Sequence, residues 1–402
     1  MANSFLEENK WWVSPYNYIS DVTDTFDLPD KVAIHDATLR DGEQTPGVVF
    51  RKEDKIRIAQ KLDEVGVERI EAGMPAVSDE DFQAIKEISK LGLKAKIFTF
   101  ARAMAIDIDK AIDCGADGVV IEVPIGYPKL KHQFNWTWED VLRKSADCIN
   151  YAREKNLHTL YFPYDTTRAR EEDLTNLLTR IMAESPPDSI GIVDTMGCAL
   201  PEAIKYMVTK VKALTGLPVE IHTHNDFGTA VATELAAVAA GAEVVHSCVN
   251  GLGERTGNAA LEELMIGLHM LLGFETGYDF EQLLPLCKLA EELSGVTPAT
   301  NKPVTGVRNY TRESGIGVDL VMKMPLCMFA TDPRFFNRSG EVVLGKKSGK
   351  ASITYMLEAM GISDYDDRDV MEILQRVKEL GRKKRSLLTS EEFKEIIKPY
   401  FG

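Results

Sequence analysis

The strongest constraint on this chain is a rhythm: a short β-branched run, a turn and an amphipathic segment, repeated between residues 32 and 272. Strands are expected at 32–38 (VAIHDAT), 67–73 (VERIEAG), 94–101, 118–125 (GVVIEVPI), 157–164, 189–195 (SIGIVDT), 219–225 (VEIHTHN) and 244–250. Helical patterns lie between them, among them 53–65, 104–114, 137–155, 200–214 and 228–240, with a last at 258–272. Eight such units over about 240 residues fit a closed (β/α)8 barrel, which typically takes about 250, better than an open doubly wound sheet. No GxGxxG follows the first strand, which weakens a dinucleotide fold further. The rhythm stops near residue 276; 280–295, 351–361 and 367–398 read as helices, and 296–319 is rich in Gly, Pro, Thr and Asn. The expected α/β organisation is an N-terminal arm (1–30), a TIM barrel (31–275), a linker or subdomain (276–319) and a smaller, mainly helical C-terminal region (320–402).

Composition narrows the function. The 402 residues carry 62 Asp and Glu against 47 Lys and Arg, a formal charge of −15, which argues against nucleic acid or an anionic membrane as the main partner. The six cysteines, at 114, 148, 198, 248, 287 and 327, never form CxxC, so a zinc ribbon or dense disulfide framework is not expected. With no apolar run of roughly 18 residues and no signal-like N-terminus, the sequence reads as cytoplasmic.

Within this frame IHTHND (221–226) stands out, because it spends two of seven histidines within three residues. On a strand His222 and His224 share one face. They are either half of a metal site or two buried imidazoles satisfied locally. Asp41, just beyond the first strand, can supply a carboxylate or simply mark a turn. Two imidazoles and a carboxylate suit a divalent ion such as Zn, Mn or Co, which can polarise a carbonyl. In barrels, reactive groups gather where strands end. Those places also hold Arg40, Glu43, Gln44, Glu71, Arg102, Glu122, Asp165, Asp194, Thr195 and Asn250. Arg40 can neutralise an oxyanion or hold a structural carboxylate; Thr195 can donate to a substrate carboxylate or make a turn bond.

Other motifs are weaker. LGKKSGKASI (344–353) is like a phosphate loop but is one residue short, with Ala351 where Ser or Thr belongs. It reads as a basic turn able to touch a CoA phosphate. RKKR (382–385) reads as a solvated helix face, and the barrel cysteines as core residues.

LRDGEQ (39–44), HTHNDFGTAVA (222–232) and NGLGERTGN (250–258), in this order, resemble the signatures of the 2-isopropylmalate/homocitrate/citramalate synthase family, the DRE-TIM metallolyases. DATLRDGEQTPGVVF, GMPAVSDED and TNKP are most similar to bacterial homocitrate synthases and, through them, Re-type citrate synthases. The resemblance implies a barrel with helical subdomains, usually a homodimer. It also implies an acyltransferase that condenses acetyl-CoA with a 2-oxo acid and releases CoA. It makes Asp41, His222, His224 and Asn258 ligands of a divalent metal (Mn, Zn, Co or Mg). Arg40 would stabilise the alkoxide, with Gln44 and Thr195 on the 2-oxo acid. Arg102, Lys129, Lys131 and His132 are candidates for a second carboxylate, which favours a dicarboxylic acid such as 2-oxoglutarate or oxaloacetate over the isopropylmalate and citramalate substrates.

The sequence departs from the family where the proton is removed. HESGIHVD becomes RESGIGVD, with Gly317 in place of the second histidine, and no histidine follows His269. A family glutamate after strand five appears as Tyr164 before Asp165. Glu313, Tyr164, Tyr310 and His132 are the replacement candidates for the general base. Two rival readings follow: a hydroxymethylglutaryl-CoA-lyase-like or aldolase-type enzyme, whose cysteine in the loop after strand eight is missing from 251–258, and a non-catalytic metabolite-binding member.

Overall fold

The computed structural model describes residues 5–401. They divide into two compact units. One spans Pro15–Pro298; the other combines the segment before Pro15 with the chain from Ala299 onward.

In the first unit eight strands close into a barrel: β1 (Ala33–Asp36), β2 (Arg69–Glu71), β3 (Lys96–Arg102), β4 (Gly118–Pro124), β5 (His158–Tyr164), β6 (Ser189–Asp194), β7 (Val219–Thr223) and β8 (Val244–Ser247). All pair in parallel in chain order, and β8 returns to β1 with His246 opposite His35. Helices α1 (Lys52–Val65), α2 (Asp79–Ile88), α3 (Ala105–Cys114), α4 (Trp138–Glu154), α5 (Glu171–Glu184), α6 (Pro201–Thr215) and α7 (Ala230–Ala239) connect successive strands. The parallel sheet explains the near-continuous apolar strands. Residues of one parity (Ile34, Ile70, Val119, Ile121, Ile192, Ile221, Val245) are wholly buried beneath the helices. Residues of the other parity fill the barrel, where Val120, Leu160, Phe162 and Val193 form an apolar cluster with Phe100 and Tyr164.

The final helix expected at 258–272 begins later, as α8 (Leu261–Ile266), and runs into a π-helical turn at Gly267–Leu271. Residues 258–260 are instead drawn into bridges with His224 and Cys248. Helix α9 (Phe280–Ser294) completes this unit.

The second unit contains α10 (Val318–Lys323), α11 (Lys350–Ala359), α12 (Asp367–Lys384) and α13 (Ser390–Phe401), with short strand pairs Leu6–Glu7/Trp11–Trp12 and Thr311–Arg312/Glu341–Val342. The single helix expected over 367–398 is two. The break falls at Arg385, which adopts a left-handed conformation (φ 56°) and ends α12. Val370, Ile373, Leu374 and Val377 of α12, Ile353 and Leu357 of α11, and Phe393 and Ile397 of α13 form one core at helical spacing.

Candidate metal centre and active site

The barrel interior is unusually polar for a fold normally filled by branched aliphatic side chains. Near the β8–β1 seam, Arg69 Nη1 lies 2.7 Å from Glu220 Oε1, and Glu220 Oε2 lies 3.0 Å from His246 Nε2. His246 stacks on His35 at 4.2 Å between ring centroids. One step toward the C-terminal strand ends, Glu71 Oε1 accepts from Arg40 Nε at 2.8 Å, and Arg40 Nη1 donates to Asp41 Oδ2 at 2.9 Å.

Asp41 Oδ2 stands 3.2 Å from His222 Nε2 and 3.7 Å from His224 Nε2. The three ligand atoms lie within 4.8 Å of one another, and all three residues are buried. β7 places both imidazoles on the barrel's inner side, as strand alternation dictates. Burial lowers the pKa of both, that of His224 to about 4, so their lone pairs are available at neutral pH. Burial alone would raise Asp41, but the Arg40 guanidinium and the two imidazoles outweigh it and hold the carboxyl well below the ordinary range. It therefore stays ionised.

Asn258, in the loop after β8, forms a β-bridge with His224. Its Nδ2 donates to Leu252 O at 3.1 Å, while its buried Oδ1 has no donor among the described residues. Glycine makes the approach possible: a Cβ at Gly257 (φ 81°) would sit 1.9 Å from Gly251 O, and one at Gly253 (φ 145°) 2.1 Å from Asn258 Nδ2. The Nε2 atoms of His222 and His224 converge on Asp41 Oδ2, and the unpartnered Asn258 Oδ1 adds a buried acceptor with no donor to face, as a first coordination shell does. The oxygen and nitrogen donor set fits a divalent cation. A second trio, His35, Glu220 and His246, is equally close, but Arg69 already neutralises Glu220.

The cluster opens into a cavity of about 320 Å³ lined by Arg40, Asp41, Gln44, Phe100, Glu122, Lys129, Tyr164, Thr195, His222, His224 and Arg255, among others. Thus Arg40, Gln44, Thr195 and Tyr164 line one cavity. Thr195 Oγ1 accepts the Asp165 N–H at 2.8 Å, which leaves its own proton for a ligand. Lys129 has no carboxylate within ion-pair distance among the described residues. A larger cavity, about 940 Å³, lies at the opposite end of the barrel around Glu68 and Arg69, away from this chemistry.

Other expected residues lie elsewhere. Arg102 is clamped by Asp107 through two bonds of 2.9 and 3.0 Å and does not line the cavity. His132 is exposed on a π-helical turn, Leu130–Phe134. Asp165 is buried and held by Arg168 at 2.7 and 2.8 Å. Glu313 belongs to the second unit, where it accepts the Lys347 N–H at 3.0 Å. Tyr310, also there, bonds Thr331 at 2.7 Å. Gly317 has φ 77°, and a Cβ would meet Met328 Sδ at 2.7 Å, so a histidine at that position would be both strained and crowded.

Sequence reasoning placed Glu122 at the rim without giving it a role. Burial, reinforced by Asp41 and Glu71 and opposed by Arg40, pushes its pKa up to about 7. Its inward parity with Val120 was the available signal; its neighbours were not.

Comparison with known proteins agrees with this architecture. The HMGL-like family model matches residues 31–289. Homocitrate synthase AksA of Methanocaldococcus jannaschii is 40% identical over 99% of this chain and 96% of its own length. The putative (R)-citramalate synthase CimA of Methanopyrus kandleri is 40% identical over 94% of this chain and 74% of its own. The 2-isopropylmalate synthase of M. jannaschii is 36% identical over 96% and 74%. Among solved structures, the HMG-CoA lyase of Bacillus subtilis superposes with a TM-score of 0.61 at 22% identity, covering 70% of this chain and 98% of that one, a likeness of fold.

Proposed function

Since the chain belongs to the HMGL-like family, we propose that it is an acyltransferase joining the methyl carbon of acetyl-CoA to the ketone carbon of a 2-oxo acid, with release of CoA. The observation that carries this reading is the convergence of Asp41, His222 and His224 with Arg40 in one small cavity. Near full-length similarity to a homocitrate synthase supports it.

Asp41, His222, His224 and Asn258 would hold a divalent ion of the Mn, Zn, Co or Mg class, and such an ion, when bound, polarises a carbonyl. The protein's own groups supply the rest. Arg40, fixed by Glu71 and Asp41, faces the oxygen that gains charge as the new carbon–carbon bond forms. Gln44 and the Thr195 hydroxyl hold the 2-oxo acid carboxylate. Lys129 offers the free cation that a second, distal carboxylate requires, favouring a dicarboxylic substrate such as 2-oxoglutarate or oxaloacetate.

The methyl proton of acetyl-CoA passes to Glu122, a cavity-lining carboxyl that burial pushes up to about 7 in the metal-free protein. Burial keeps Tyr164 protonated well above the ordinary phenol range, suited to donating a hydrogen bond. Glu313 is the competing base, and Tyr164 competes only if ligand binding releases its proton. Hydrolysis of the thioester then frees the thiol.

The test is to incubate metal-loaded protein with acetyl-CoA and a panel of 2-oxo acids, follow free thiol and identify the product. Thiol release with a dicarboxylic 2-oxo acid is expected. None with any acid sinks the reading. Glu122→Gln, Tyr164→Phe and Glu313→Gln, each checked for retained metal, rank the bases.

A further inference from the structure

Within the second unit a separate cavity of about 440 Å³ is lined by Arg308, Glu313, Lys346, Gly381, Arg382, Arg385, Ser386 and Leu387. Four of these are cations, in a chain whose formal charge is −15. None of the four has a carboxylate partner among the described residues. Glu313 does not supply one, because its carboxylate accepts the Lys347 N–H at 3.0 Å and lies 3.6 Å from Lys347 Nζ. Elsewhere on the same basic run Lys384 is neutralised by Glu392.

Two local departures from good helix chemistry serve the same place. Gly381 lies near the C-terminal end of α12, where glycine weakens a helix. It is buried, and a Cβ there would sit 2.9 Å from Lys346 N, so its bareness lets the GKKSG loop press onto the helix beside Arg382. Arg385 ends the helix at φ 56°, ψ 34°, a conformation that glycine adopts freely and arginine does not. Cations at a helix C-terminus complement its dipole, which accounts for Arg382 but not for Arg308 or Lys346, nor for the strain at Arg385.

We propose that the cavity formed by Arg308, Lys346, Arg382 and Arg385 is a binding site for a ligand bearing clustered phosphate groups. Its volume is within the range of small-molecule sites, about 300–1,000 Å³. Guanidinium forks match phosphate oxygens two at a time, and the ammonium of Lys346 adds a point charge. The phosphate cluster can come from the 3′-phospho-ADP end of CoA or from a free phosphorylated metabolite. The inference does not depend on the condensation reaction, because it is read by binding without turnover.

The experiment is equilibrium dialysis of the full chain at low ionic strength against two probes, pyrophosphate and adenosine 3′,5′-bisphosphate. Saturable binding of at least one is expected, weakening with added salt and falling roughly tenfold or more in Arg382→Gln/Arg385→Gly. Tighter binding of the bisphosphate assigns the site to CoA; equal or tighter binding of pyrophosphate assigns it to a free phosphorylated ligand. Arg385→Gly relieves the left-handed strain, so its melting temperature should not fall, and Arg308→Gln/Lys346→Gln repeats the test without touching α12. Failure of both probes to bind at millimolar concentration overturns the proposal, as does unchanged affinity in both double variants.

Discussion

Replacing Glu71 with glutamine tests how the barrel interior holds Arg40. Glu71 is wholly buried, with Oε1 2.8 Å from Arg40 Nε and Oε2 3.7 Å from His35 Nε2. Burial would raise its pKa, but Arg40 and His35 outweigh burial and bring it from 4.5 to about 2. That displacement corresponds to about 3 kcal/mol favouring the charged form. Glutamine keeps the shape and one acceptor oxygen, so Glu71→Gln should cost about 2–3 kcal/mol, less than the roughly 3–5 kcal/mol of an abandoned buried charge, because Asp41 still pairs with Arg40. For a unit of this size that lowers the melting temperature by about 4–12 °C. A double-mutant cycle with Arg40→Met, read by urea unfolding at pH 7, should give a coupling above about 1 kcal/mol. The sign with pH follows from a depressed carboxylate: its contribution is present above 4.5 and lost as pH falls toward about 2. A cost below about 0.5 kcal/mol together with zero coupling would refute the idea that Glu71 anchors Arg40.

Further outcomes follow from the same geometry. Gly253→Ala should displace Asn258 and weaken metal binding roughly 10–100-fold by calorimetry while the far-ultraviolet spectrum stays barrel-like. A divalent ion at about 100 times its Kd should stabilise the protein by about 2.7 kcal/mol, an increment that Asp41→Ala abolishes in thermal melts. Burial holds His224 and His246 at about 4 against 6.5 in the unfolded chain, so the metal-free protein should lose stability as pH falls from about 6.5 to about 4, and gain nothing from these groups above that range. Lys129→Met should raise KM for a dicarboxylic 2-oxo acid at least roughly tenfold and leave a monocarboxylic one little changed.

Local chemistry made much of this protein legible. The strands could be read because a parallel barrel buries both faces, which turns each strand into a short apolar run bounded by polar turns. His222 and His224 could be paired because a strand repeats every two residues. The break in the last helical segment was only half hidden: Arg382 to Arg385 are good helix formers that give no stop signal, whereas Thr389 and Glu392 form the reciprocal capping pair that starts a new helix. Arg102 has the same sequence signature as Arg40, a charge at a strand end. What separates them is Asp107, which claims one, and the closed barrel, which presents the other.

By itself the sequence determined the barrel, the same-face His222 and His224 pair at the end of β7 and the family signatures, since each rests on spacing within a few residues. Only the tertiary structure decided which ionisable groups share a buried space. Closing β8 onto β1 brought His35, Glu220 and His246 together, set Glu71 behind Arg40, and raised Glu122 to about 7 by removing water while leaving like charges nearby. Those effects depend on distance and dielectric between residues far apart in the chain, quantities that no local pattern contains.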